Sequence, residues 1–195
     1  YLISRSFLRL ATSTGRAERK VYRERAAKQH SAASALLRKE LGRFTSSPNY
    51  MLNCGMGVLM LLLGGAALLW KGGSFLPAMS DVFDGRPGCV SALLCAIVCA
   101  LAAMNDMAAP SVSLEGKSLW LMQSLPVTPW QVLRAKLSVQ LLLTGVPVLF
   151  CALCVLLVYP CGTLEALFIL LLPLLYTLFS ALLALALGLK LPNLA

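Results

Sequence analysis

Pro110-Ser-Val-Ser-Leu-Glu-Gly-Lys-Ser-Leu-Trp-Leu-Met-Gln-Ser-Leu-Pro-Val-Thr-Pro-Trp-Gln-Val-Leu-Arg-Ala-Lys136 is a mixed polar and aromatic stretch set between long apolar runs. Pro110 closes the run before it. Ser111 or Ser113 can cap a short helix that Pro126 stops, because the residue before a proline is driven out of the helical region. On that helix Leu114, Leu121 and Leu125 fall near one stripe, while Glu115, Lys117 and Gln123 stay polar. This predicts a short amphipathic helix lying flat on a membrane, with Trp120 at headgroup level. Thr128-Pro129-Trp130-Gln131 then combines an N-cap, a proline at the first helical position and a capping-box glutamine, and so starts a new helix.

Working outward, four windows reach the length of nearly uncharged chain that a bilayer-spanning helix needs. They lie at about 50–70, 88–109, 137–159 and 164–189. A composition of 58% hydrophobic and 13% charged residues stands outside the range of soluble domains. The sequence therefore predicts an all-α membrane protein, a helical bundle of four transmembrane helices plus amphipathic interfacial helices. Residues 110–136 are the segment on the cytoplasmic side, within a transmembrane domain over 48–195.

The net charge of +9 is unevenly spread, with 11 of the 17 Lys and Arg residues before Tyr50. Residues 1–30 read as a basic cytoplasmic linker beside anionic lipid rather than a nucleic-acid arm, because the tail leads straight into a span. Residues 31–47 predict an amphipathic helix capped by Ser31 or Ser34. Leu36, Leu37, Leu41 and Phe44 form its apolar face, set down into lipid, and Arg38, Lys39, Glu40 and Arg43 the opposite one. Both ends are expected in the cytoplasm, in a multi-pass protein of the cell membrane. The stretch 71–87, with Gly72-Gly73 and Pro77, predicts an outer loop.

Asn105 and Asp106 stand near the inner end of the second span. A carboxylate at membrane depth is a functional candidate; here the position favours an interfacial carboxylate capped or paired by a neighbouring lysine. The seven cysteines fall mostly in the apolar windows, where a thiol acts as a small hydrophobe. Cys89 and Cys161 both fall on the outer side, within range of pairing in principle. Gly116-Lys117-Ser118 imitates the end of a phosphate-binding loop. The required glycine five residues earlier is Ser111, and no strand precedes it. With one histidine and no paired intramembrane carboxylates, no enzyme constellation, metal set or cofactor site is expected.

Ser113-Leu114-Glu115-Gly116-Lys117-Ser118-Leu119-Trp120, with Ser124-Leu125-Pro126-Val127 and Lys136, resembles the loop after the second span of ABC-2-type transporter permeases, closest to bacterial ABC exporter permeases of the long, two-halved kind. Leu36-Leu37-Arg38-Lys39-Glu40 through Ser46-Ser47-Pro48 is similar to their segment ahead of the first span. The resemblance implies a non-enzymatic permease subunit of an ATP-driven exporter. Its partners would be a separate ATPase subunit and a second transmembrane half. Ser113, Glu115, Gly116, Lys117, Trp120 and Pro126 would form the segment that couples to the ATPase. Permeases of this kind carry more spans than four per half, which implies a fragment of a longer chain. The alternative is a membrane anchor or scaffold whose basic tail recruits lipid or a soluble partner.

Overall fold

In hydrocarbon an unpaired backbone N–H or C=O costs several kcal/mol, so a long apolar run closes its hydrogen bonds within itself as a helix. The computed structural model describes residues 31–83, 86, 88–116 and 124–191. Among these residues it contains helices and no strand: α1 (Ala32–Ser46), α2 (Pro48–Val82), α3 (Cys89–Ala103), α4 (Ala108–Ser113), α5 (Pro129–Val158) and α6 (Thr163–Lys190). Taking α3 and α4 as one interrupted element, four are long and apolar enough to cross a membrane: Pro48–Val82, Cys89–Ser113, Pro129–Val158 and Thr163–Lys190. The protein is an all-α, multi-span membrane protein. The basic stretch 1–30, with its sole histidine, lies outside the described residues, as do Lys117 and Trp120.

Local signals explain the helix starts. The Ser31 hydroxyl accepts from the Ser34 N–H at 3.4 Å and caps α1. Pro48 opens α2 at a position where its missing N–H costs nothing. At α5 the Gln131 side chain accepts from the Thr128 N–H at 3.0 Å, the reciprocal half of a capping box.

α5 is the hub and packs against α1, α2, α3 and α6. At the end remote from α1, Leu76, Val90, Leu94, Cys95, Val155 and Ile169 form one buried cluster. Leu61, Val98, Ala102, Val148 and Cys151 fill the middle. At the α1 end, Phe44, Cys54 and Met107 pack together, with Phe44 edge-on to Tyr50 at 5.4 Å between ring centroids. Outward faces carry large exposed side chains such as Leu171, Leu175 and Phe179, the composition expected where lipid is the solvent. All seven cysteines are free thiols, Cys89 and Cys161 included.

Three expectations change. Helix, not loop, occupies much of 71–87, because α2 continues to Val82. Gly72 serves packing rather than a turn: a Cβ there would collide with Val158 Cγ1. The second span does not run unbroken to Pro110. It breaks between Ala103 and Ala108, and Pro110 sits in the first turn of α4, where the N–H it lacks would have no helical partner anyway. Finally, α1 turns part of its apolar face into the protein, with Leu37 and Leu41 half-buried. Leu36 is buried with Ala135 of α5, and Phe44 packs against Cys54 of α2 and Met107.

Candidate functional site

Leu36, Glu40 and Phe44 recur at a spacing of four, which places all three on one stripe of α1. Glu40 is therefore on the buried face, at 5% exposure, and not on the solvated face where its neighbours Arg38 and Lys39 predict it. A carboxylate in that position requires a partner, since burying an unpaired charge is prohibitively costly. Lys136, at the start of α5 and 4% exposed, supplies it. Its ammonium lies 3.3 Å from Glu40 Oε2 and 3.2 Å from Glu115 Oε1, and donates to the Ser111 carbonyl at 3.0 Å. All three ammonium protons are thus directed at acceptors.

Glu115 is the second carboxylate and is 4% exposed. Besides Lys136 it faces Arg43 Nη1 at 3.1 Å and Lys39 Nζ at 3.4 Å, while Arg43 Nη1 also approaches Glu40 Oε1 at 3.6 Å. Burial alone would raise the Glu115 pKa. The charges of Lys136, Arg43 and Lys39, with the hydrogen bond from Lys136, outweigh burial and hold it below the usual carboxylate range. The cluster ties together α1, the turn after α4 and the first turns of α5. These elements are joined only through long stretches of sequence.

This geometry changes the expected role of Glu115. Its carboxylate is turned into the protein by three cations, so it is not an outward docking contact. Ser113 and Gly116 are half-buried and Pro126 is exposed. Arg38 is exposed on α1, apart from the cluster formed by Lys39, Glu40 and Arg43.

Beside the cluster lies the break in the second span. α3 ends in a tightened turn, with Met104 N–H donating to Leu101 O at 3.3 Å and Asn105 N–H to Ala102 O at 3.1 Å. The non-helical backbone that follows would be left unpaired at membrane depth. One side chain of α5 repairs it: Gln140 Oε1 accepts from the Met107 N–H at 2.7 Å, and Gln140 Nε2 donates to the Asn105 carbonyl and to Thr144 Oγ1. Tyr50 of α2 donates to the Met107 carbonyl at 2.7 Å. Asp106 is exposed; its carboxylate accepts from the Ala109 N–H at 3.3 Å and caps α4, in place of the lysine pairing expected for it.

Asn105 is 1% exposed, and its carboxamide has no hydrogen-bonding partner among the described residues. Gly57 of α2 admits it: a Cβ at that position would meet Asn105 Oδ1 at 2.5 Å and the Leu101 carbonyl at 2.6 Å. A cavity of about 180 Å³ opens next to the break and is lined by Asn105, Asp106 and Gln140 with Tyr176, Ser180 and Ala184 of α6. Asn105 and Asp106 stand out in the sequence, whereas Gln140, Thr144 and Tyr50 do not. A lone amide three residues into an apolar window was the available signal, since polar groups at membrane depth are rare without a task.

No curated protein matches this chain, and neither does any solved structure. The family described as "membrane protein of 12 TMs" does match, over residues 75–195. That stretch is more than half of the sequence and contains the broken second span, Glu115, Lys136 and Gln140. The chain belongs to this family of twelve-span membrane proteins.

Proposed function

We propose that the protein is the membrane-spanning permease part of an ATP-driven exporter, in which residues 113–126 receive the push of a partner ATPase on the cytoplasmic side. The observation that carries this reading is the buried ionic cluster. Lys136, Arg43 and Lys39 clamp Glu115 at the head of this segment, so that displacing the segment displaces α1 and α5 with it. A loop that only joined two helices would need no such clamp. Coupling by a packed, bistable element is the general way in which a small shift at one site becomes a helix movement at another. In this scheme Glu115 transmits, while Lys117 and Trp120, assigned by their position in the sequence alone, meet the ATPase together with exposed Pro126.

The test is purification of the full-length protein from its native membrane with any associated ATPase, comparing wild type, Lys117→Glu and Glu115→Gln. Lys117→Glu is expected to lose the complex. Glu115→Gln is expected to keep the complex but to lower substrate-stimulated ATP hydrolysis about tenfold, the equivalent of ~1.4 kcal/mol in the coupling step. Absence of any ATPase partner overturns the exporter reading and favours a membrane scaffold. A complex with unaltered stimulation in Glu115→Gln overturns the role of the clamp.

A further inference from the structure

The cavity beside the break has two unlike walls. One wall is polar and of one sign. Asp106 contributes the carboxylate, and among the described residues it forms no ion pair. The last turn of α3, whose carbonyls carry the negative end of a 15-residue helix, ends at the same place. Asn105 also borders the cavity, with its carboxamide turned away against Gly57, and Ser180 adds a hydroxyl whose proton is committed to the Thr177 carbonyl at 3.1 Å, leaving its oxygen lone pairs to accept. The other wall is apolar and comes from Leu183, Ala184 and Leu187 of α6. Carboxylate, helix C-terminus and acceptor oxygens favour a cation, and the apolar wall distinguishes an organic cation from a bare metal ion, which would be better served by oxygen on every side.

We propose that this cavity is a binding site for a small amphipathic ammonium ion, with the charged head at Asp106 and its alkyl body against Leu183, Ala184 and Leu187. Tyr176, which also lines the cavity, offers a ring to the same cation. A discontinuous helix is a recurrent place for such recognition in membranes, because a break is where backbone dipoles are freed to face a ligand. The site needs no ATPase, so its failure and that of the exporter reading are separable.

The experiment is calorimetric titration of the full chain in lipid nanodiscs with n-butylammonium, using n-butanol and sodium ion as comparison ligands and empty nanodiscs as the blank. Two variants locate the site. Asp106→Asn removes the charge but keeps the cap on the Ala109 N–H, since asparagine caps as well as aspartate. Ala184→Phe fills the cavity and leaves the carboxylate in place. The expected result is saturable 1:1 binding of n-butylammonium that weakens at least about tenfold in Asp106→Asn, as loss of a charge-assisted contact requires, and disappears in Ala184→Phe. Unchanged binding in either variant overturns the proposal, as does the absence of saturable binding to wild type. Asp106-dependent binding of sodium without n-butylammonium also overturns it and identifies a metal-ion site instead.

Discussion

Replacement of Lys136 by methionine isolates what the ionic cluster contributes, because the methionine keeps the apolar stem and removes only the charge. In the native protein the ammonium sits 3.3 Å from Glu40, 3.2 Å from Glu115 and 3.0 Å from the Ser111 carbonyl. Glu115 retains Arg43 and Lys39 in the variant, whereas Glu40 is left, among the described residues, with Arg43 at 3.6 Å. Breaking a buried pair by deleting one partner costs roughly 3–5 kcal/mol, and the surviving cations place this case at the lower end, about 3 kcal/mol. The loss comes from a stranded carboxylate rather than from a missing bond, so neutralising Glu40 should reverse much of it. Lys136→Met combined with Glu40→Gln should recover at least about half of the loss, a coupling that only a double-mutant cycle reveals. The assay is reversible unfolding by sodium dodecyl sulfate in mixed micelles, followed by far-UV circular dichroism, with exposed Lys190→Met as the control. A loss under about 1 kcal/mol, or a double variant whose effect equals the sum of the singles, refutes the argument, since either means that the charges are solvated.

Gln140→Leu leaves the Met107 N–H and the Asn105 carbonyl unpaired, and at roughly 1–3 kcal/mol for each buried group it should destabilise the protein by about 2–6 kcal/mol in the same assay. Tyr50→Phe removes one hydrogen bond to the Met107 carbonyl and should cost about 1 kcal/mol. Gly57→Ala drives a methyl group into Asn105 and the Leu101 carbonyl and should cost about 1–3 kcal/mol, whereas Gly73→Ala, with open space around it, should be neutral or stabilising by up to about 1 kcal/mol. Equal effects at the two glycines would exclude close approach as the reason for Gly57. Because the Glu115 pKa is lowered in the folded protein from its ordinary value of 4.5, the unfolded chain binds more protons as pH falls through that value. The contribution of Glu115 is thus fully present above that value and drains away as pH drops through the lowered folded one. Stability measured against pH should lose this acid limb in Glu115→Gln.

Local signals in the sequence announce the helices well. Apolar length marks the four spans, Ser31 marks the start of α1, and Thr128 with Gln131 marks the start of α5, because each depends on neighbours within a turn. Partners far apart in sequence are different. Glu40 and Lys136 are 96 positions apart, and nothing near either names the other. The spacing of Glu40 with Leu36 and Phe44 was nevertheless a visible hint that its carboxylate faces inward. The break before Pro110 was hidden for a converse reason. Proline is a strong stop signal, but its position tells only where a helix cannot lack a partner, and α4 accommodates it in a first turn. What ends α3 is tertiary: Gln140 can satisfy the non-helical backbone only once α5 has packed beside it. Gly72 shows the same limit, since a glycine kept for the approach of Val158 looks in sequence like one kept for a turn.

The length of α2 has a mechanical consequence. Its 35 residues extend about 52 Å at 1.5 Å per residue, well beyond the roughly 30 Å of a hydrocarbon layer. Its base is the part fastened to the break, through the Tyr50 hydroxyl and the tight seat at Gly57. The far half is fastened as well, through Gly72 against Val158 and Leu76 in the buried cluster, so the arm is braced against α5 along its length. A rotation of roughly 10° about Tyr50 would sweep Val82 through about 8 Å and would have to carry α5 with it, which makes the two helices one lever.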